Sequence, residues 1–229
     1  MVNAFVTGAN RGIGLAIVKE LLKDDTVKHT LKGIRDDRLH VLEMDILYDD
    51  EQWRAVEKVS SIVKEEGLHL LVNNAGVLYD YDISGNVLRK LMCLQMEINA
   101  ASSLIVVQNF LPLIRKASSS TGKAVVVNMV GSLGSIHHCD GATERGATLY
   151  RMSKAALNMM TRSLGMDLKG EGICVVSMCP GKVKTEVGGK TAEIPADLSA
   201  KALADAMLNK LSNEHAAGFF DRNLKPIPF

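Results

Sequence analysis

Thr7-Gly8-Ala9-Asn10-Arg11-Gly12-Ile13-Gly14 is the stretch that decides the fold. The short apolar run Ala4-Phe5-Val6 precedes it, and a helix-like pattern begins near Gly14. Strand, glycine loop and helix in this order make a phosphate cradle. Glycines let the backbone approach a pyrophosphate, and the helix aims its free N–H groups and positive dipole end at the same place. The chain therefore opens on a dinucleotide site, with Gly8, Asn10, Arg11, Gly12, Ile13 and Gly14 as candidate binding residues. The planar fork of Arg11 suits a 2′-phosphate on the adenosine ribose and tilts the cofactor toward NADP, with NAD left open. A solvated loop arginine is the other reading of Arg11.

Outward from this loop, strand-like and helix-like segments alternate. Strands are expected at Asn3–Val6, Leu39–Met44, Leu68–Asn73, Lys123–Asn128 and Ile173–Met178, each apolar nearly throughout, as strands covered on both faces are. Helical spacing marks Ile13–Lys23, Asp50–Glu66, a long segment from Val87 to Lys116 ending near Pro112, and Tyr150–Lys169. Ser118–Gly122 and Ser135–Ala147 read as loops. The pattern predicts a doubly wound, Rossmann-like parallel α/β sheet in a three-layer sandwich with right-handed crossovers. One stretch is too short for it. Residues 23–38 cannot hold a second strand of about 5–6 residues and a crossover of roughly a dozen or more. Either the second strand or its following helix is missing. The run Arg38-Leu39-His40-Val41-Leu42 favours loss of the strand. The competing reading makes His29–Asp36 the second strand, with Arg35 facing the 2′-phosphate.

Composition narrows the class. A chain of 229 residues suits one domain over 1–229 with a substantial core. Lysine plus arginine total 27 and aspartate plus glutamate 26, a net charge of +1, which argues against a nucleic-acid partner. No polybasic block and no apolar run near the ~18 residues of a membrane span suggest a membrane. The chain starts in a strand-like run, so no signal peptide is expected. Cys93, Cys139, Cys174 and Cys179 form no CxxC pair and are expected as reduced thiols in a cytoplasmic protein. His137-His138-Cys139-Asp140 lacks a second cluster, so no metal is expected.

Further motifs then appear in a characteristic order: Asp45-Ile46, Asn73-Asn74-Ala75-Gly76, a mid-helix Asn99, Tyr150-Arg151-Met152-Ser153-Lys154, and Pro180-Gly181 with Val183 and Thr185. With the glycine loop, they resemble the short-chain dehydrogenases/reductases over nearly the whole chain. Tyr150–Leu157 and the ending Phe219–Pro226 are most similar to the sniffer-like and C-factor-like carbonyl reductases. The resemblance implies reduction of a small-molecule carbonyl by a nicotinamide cofactor in a homodimer built on the Val87–Lys116 and Tyr150–Lys169 helices. It assigns cofactor contacts to Asp45, Ile46, Asn74, Ala75, Gly76, Tyr150, Lys154, Pro180, Gly181, Val183 and Thr185.

Tyr150 and Lys154 stand four apart, so a helix puts them on one face. A phenol of pKa ~10 needs help near pH 7, and lowering it by ~2–3 units requires roughly 3–4 kcal/mol from nearby positive charge. By resemblance Tyr150 is the general acid, Lys154 lowers its pKa and holds the nicotinamide ribose, and Asn99 holds a water in a proton relay. An ordinary helix face is the plain alternative for the Tyr–Lys pair, and a cap or surface position for Asn99. Asparagine inside an apolar helix also costs propensity and can bend the helix.

Two departures bear on activity. The family's active-site serine falls on Gly131, and Ser132 stands one place late in Asn128-Met129-Val130-Gly131-Ser132-Leu133-Gly134. Losing one such donor typically costs ~10²–10³ in rate. Lys182 also replaces an aromatic residue in the Pro180-Gly181 loop. The alternative to an active reductase is therefore a cofactor-binding, catalytically impaired member acting through its surface or as a dimer. A shortened chain that folds poorly is a third outcome. Gly188–Pro195 reads as a mobile lid.

Overall fold

The computed structural model describes residues 2–29, 36–86, 88–139, 147–189 and 191–229. Strands β1 (Val2–Val6), β2 (Val27–His29), β3 (Leu70–Asn73), β4 (Ala124–Met129), β5 (Ile173–Cys179) and β6 (Phe219–Asp221) form one sheet in the order β2-β1-β3-β4-β5-β6. Every neighbouring pair is parallel. β3, β4 and β5 are buried at every residue, which is why they read as unbroken apolar runs. The helices are α1 (Gly12–Leu21), α2 (Asp49–Val63), α3 (Arg89–Met96), α4 (Ser102–Thr121), α5 (Thr148–Leu168) and α6 (Ala196–Asp205). α1 packs on α6, while α2 packs on α4, and α4 and α5 lie against β3, β4 and β5. Phe5 of β1 stacks on Phe110 of α4 with ring centroids 4.6 Å apart, joining sheet and helix at the centre of the core. The chain runs from β1 to one side and resumes at β3 on the other. That reversal leaves a crevice beyond the carboxyl ends of β1 and β3.

The expectation of a missing second strand is overturned. β2 is present, pairing Val2 with Val27 and Asn3 with His29. What gives way is the material after it. Residues 36–48 hold neither helix nor strand, so the strand expected at Leu39–Met44 does not form. Leu39, Leu42, Met44 and Ile46 still pack against the core. Arg35 lies outside the described residues. Arg38 holds this segment in place. Its guanidinium donates to the carbonyls of Leu22 (2.6 Å), Asp24 (3.2 Å) and Val27 (3.3 Å) and to both carboxylate oxygens of Asp36. It therefore satisfies carbonyls at the end of α1 and closes the short path into β2. The same contact pulls the Asp36 carboxyl down to about 2.

Two boundaries also move. The predicted loop Ser118–Gly122 is the last turn of α4, closed by Gly122 at φ 74°. Pro112 sits inside that helix rather than at its end. The flanking Phe110, Leu113 and Ile114 are buried, and their packing outweighs the one hydrogen bond a proline removes. The helical stretch Arg89–Thr121 is long and apolar enough, by length and composition, to cross a membrane. Here its apolar residues Val106, Val107, Phe110, Ile114 and Ala117 belong to the core beside the sheet.

If Arg38 ties α1 to β2, Arg38→Met will lower the melting temperature by more than Arg54→Met, whose guanidinium pairs with Asp50 and Glu51 on an exposed helix face. Equal losses in thermal denaturation would remove Arg38 from that role.

Candidate functional site

At the crevice, Thr7 directly follows β1 and is buried. Its hydroxyl accepts the backbone N–H of Asn74 (3.0 Å) and of Ala75 (3.1 Å). The Asn74 amide donates back to the carbonyls of Thr7 (2.9 Å) and Gly8 (3.1 Å). These bonds fix where the glycine loop leaves the sheet. Gly14 is packed so closely that a side chain there would overlap the Asn74 amide and the Gly8 carbonyl. The loop thus delivers the N-terminus of α1 to the floor of a cleft of about 1140 Å³.

That cleft gathers the predicted residues. Gly8, Asn10, Arg11, Gly12, Ile13 and Gly14 line one wall, with Asp45 and Ile46 beside them. Asn74, Ala75 and Gly76 line the cleft too, as do Pro180, Gly181, Val183 and Thr185. Tyr150, Lys154 and Ser132 border its far end. Asp45 is committed to local backbone, its carboxylate accepting Leu47 N–H at 3.0 Å, while Gln52 holds the Ile46 carbonyl at 2.8 Å. Arg11 pairs with Glu186, which also lines the cleft.

Asn99 does not line the cleft; it lies beneath it, fully buried. Around it the helix widens into a single π turn, Glu97–Ala101, between α3 and α4. Its side chain reproduces a strand-like pairing with Val77, accepting the N–H at 2.8 Å and donating to the carbonyl at 2.8 Å. Its amide also donates to Ser153 Oγ at 2.9 Å, and Ser153 donates to the Tyr150 carbonyl at 2.8 Å. Gly76 runs so close that a Cβ there would sit 3.1 Å from Asn99 Oδ1 and 3.5 Å from Lys154 Nζ.

Lys154 is buried, with Nζ donating to the Met129 carbonyl at 2.8 Å and lying 5.6 Å from the centre of the Tyr150 ring. Loss of hydration disfavours its charged form and pushes its pKa down to about 8. A row of polar side chains supports Met129 from below. Asn73 donates to Asn128 at 2.9 Å, and Asn128 to Thr161 at 2.9 Å.

The displaced serine has a backbone cause. Gly131 adopts φ 93°, ψ 156°, a conformation that side-chain-bearing residues rarely enter, although space for a Cβ is open. Ser132 begins the following 3₁₀ turn (Ser132–Gly134) and is exposed on the cleft wall. The Lys182 side of the wall is ordered by the Lys182–Lys184 and Glu193–Ile194 backbone pairing. Of the predicted lid, Lys190 lies outside the described residues, as do residues 140–146 of the Ser135–Ala147 loop.

Sequence reading missed Ser153, the Met129 carbonyl and Glu186. Ser153 was legible in principle, since it stands inside the Tyr150–Lys154 interval on the same helix. A backbone acceptor and a partner 175 residues away carry no sequence signal.

Residues 2–195 match the family described as short chain dehydrogenase. The chain belongs to the short chain dehydrogenase family. Among the relatives of this short-chain dehydrogenase is the C-signal protein of Myxococcus xanthus, 37% identical over 160 residues that cover 70% of this chain and 92% of that one. Among solved structures, the carbonyl reductase Sniffer of D. melanogaster superimposes with a TM-score of 0.91 at 30% identity, covering 100% of both chains. The NADPH-bound carbonyl reductase from chicken fatty liver does so with a TM-score of 0.88 at 30% identity, covering 99% and 98%.

Burial of Lys154 has a measurable sign. Its folded pKa lies below the ordinary 10.5, so between pH about 8 and 10.5 the unfolded chain binds more protons than the folded one. Stability contributed at this site therefore rises with pH across that window. Urea unfolding of wild type and Lys154→Met at pH 8 and pH 10 should show wild type gaining relative to the variant. A constant difference would contradict the burial.

Proposed function

We propose that this short-chain dehydrogenase reduces a ketone, aldehyde or quinone to the alcohol, using NADPH, with Tyr150 as general acid. The observation that carries this is the assembly at the end of the cleft: Tyr150 against the buried Lys154, with Asn99 and Ser153 locked behind them. The cleft suits a dinucleotide, since the α1 N-terminus and the side-chain-free surface of the glycine loop face it. When bound, NADPH supplies the hydride to the carbonyl carbon. Tyr150 gives its phenolic proton to the carbonyl oxygen, and Lys154 favours the phenolate that remains. Lys154 would also hold the nicotinamide ribose, Thr185 the carboxamide or pyrophosphate, and Asn99 a water in a proton relay to Lys154. Ser132 stands nearest in sequence to the absent serine and is assigned the hydrogen bond to the substrate oxygen.

A second reading rests on Gly131. Its backbone cannot readily host the family's serine, which fits a member that binds cofactor and turns over slowly. The proposed protein is a single domain over 1–229, acting in the cytoplasm. It forms a homodimer through α4 and α5, where Leu104, Met152, Met159 and Met166 are exposed. Sedimentation should give twice the chain mass, and a monomer would refute the dimer.

Tyr150→Phe should retain NADPH binding and lose about 10²–10⁴ in turnover on a carbonyl panel. Ser132→Ala should lose about 10²–10³ if Ser132 donates to the substrate. Full turnover by the Tyr150 variant would sink the acid assignment. An unaffected Ser132 variant in a slow enzyme would favour the second reading.

A further inference from the structure

The glycine loop and the Pro180–Gly188 loop both line the cleft, and they come into contact. A Cβ on Gly12 would stand 3.5 Å from Thr185 Cγ2. One residue away on each loop, the Arg11 guanidinium pairs with the Glu186 carboxylate. Glu186 is carried by a built loop rather than a loose one. Lys184 N–H donates to the Ile194 carbonyl at 2.8 Å, and Gly188 N–H to Thr185 Oγ1 at 3.2 Å. Gly188 lies so close to the Val183 carbonyl that no side chain fits between them. The acids lining the cleft are Asp45 and Glu186, and Asp45 is held by Leu47 N–H. Arg38 is occupied with backbone carbonyls and Asp36. Arg11 is thus the guanidinium on the glycine-loop wall, and it has an anionic partner of its own.

We propose that Glu186 is a cofactor-selecting residue: it competes with a 2′-phosphate for Arg11, weakening NADPH binding and leaving NADH binding unchanged. This rests on the cofactor reading given above. Glu186 acts through Arg11, so it is a positioning residue, and the ratio of the two affinities reports it. A merely structural contact would change both nucleotides alike. Both partners are largely exposed, with side chains 61% and 79% accessible, so the effect is modest.

The test is fluorescence titration of the full chain with NADPH and with NADH, in wild type, Glu186→Gln, Arg11→Gln and the double variant. Glu186→Gln should tighten NADPH roughly three- to ten-fold with NADH within two-fold. In the Arg11→Gln background the same substitution should give less than a two-fold change. Parallel weakening of both nucleotides by Glu186→Gln would show a clasp over the cleft instead and overturn the proposal. An undiminished gain without Arg11 would also overturn it, because Glu186 would then act by direct repulsion. If wild type binds neither nucleotide, the cofactor reading itself falls and takes this inference with it. Binding of both with an unshifted ratio removes the inference alone.

Discussion

The site depends on one small knot of hydrogen bonds, Thr7 with Asn74. A parallel sheet offers its strand ends no partner of their own beyond the last rung. Here the Thr7 hydroxyl and the Asn74 amide extend the pairing of β1 and β3 by side chains. Because those groups are polar and largely shielded, breaking one leaves donors and acceptors unsatisfied, which is costlier than the bond itself is favourable. The glycine loop therefore leaves the sheet in one direction, and the N-terminus of α1 is delivered to the cleft. Everything downstream of that point inherits its position: the Gly14–Asn74 contact, the closeness of Gly12 to Thr185, and the pairing of Arg11 with Glu186.

A second network sets the other end of the cleft. The π turn at Glu97–Ala101 swings the Asn99 side chain into register with the Val77 backbone, and Ser153 links it to α5. Lys154 is held by the Met129 carbonyl, at the end of a strand whose Asn128 is tied to β3 and to α5. The binding half and the proton-delivering half are thus built on different strands and meet over Gly76. The stretch that would present the serine departs from this order, because Gly131 takes a positive φ before Ser132.

Much of this was legible in the sequence for physical reasons. Strands buried on both faces must be apolar throughout, so β1, β3, β4 and β5 announced themselves. The Tyr150–Lys154 interval is set by helical periodicity. β2 was illegible because it is three residues, Val27-Lys28-His29, with no run to read, and its neighbour Arg38 secures the segment by bonds to carbonyls. Pro112 suggested an end to α4 where buried Phe110, Leu113 and Ile114 carry the helix onward. Asn99 reads in the sequence as a helix-bending polar residue, and the helix does widen around it. Its partner Val77 could not be named, because the acceptor and donor are backbone. Glu186 was hidden for a different reason: nothing in a chain marks a pairing across 175 residues.

The measurement that bears most directly on the whole account is the initial rate of NADPH oxidation by the purified chain, with and without ketones, aldehydes and quinones. An assembled cofactor cleft with Tyr150 and Lys154 at its end predicts saturable oxidation that depends on the added carbonyl. Saturable NADPH binding with no carbonyl-dependent oxidation would contradict it, leaving a protein that holds the dinucleotide and does not use it.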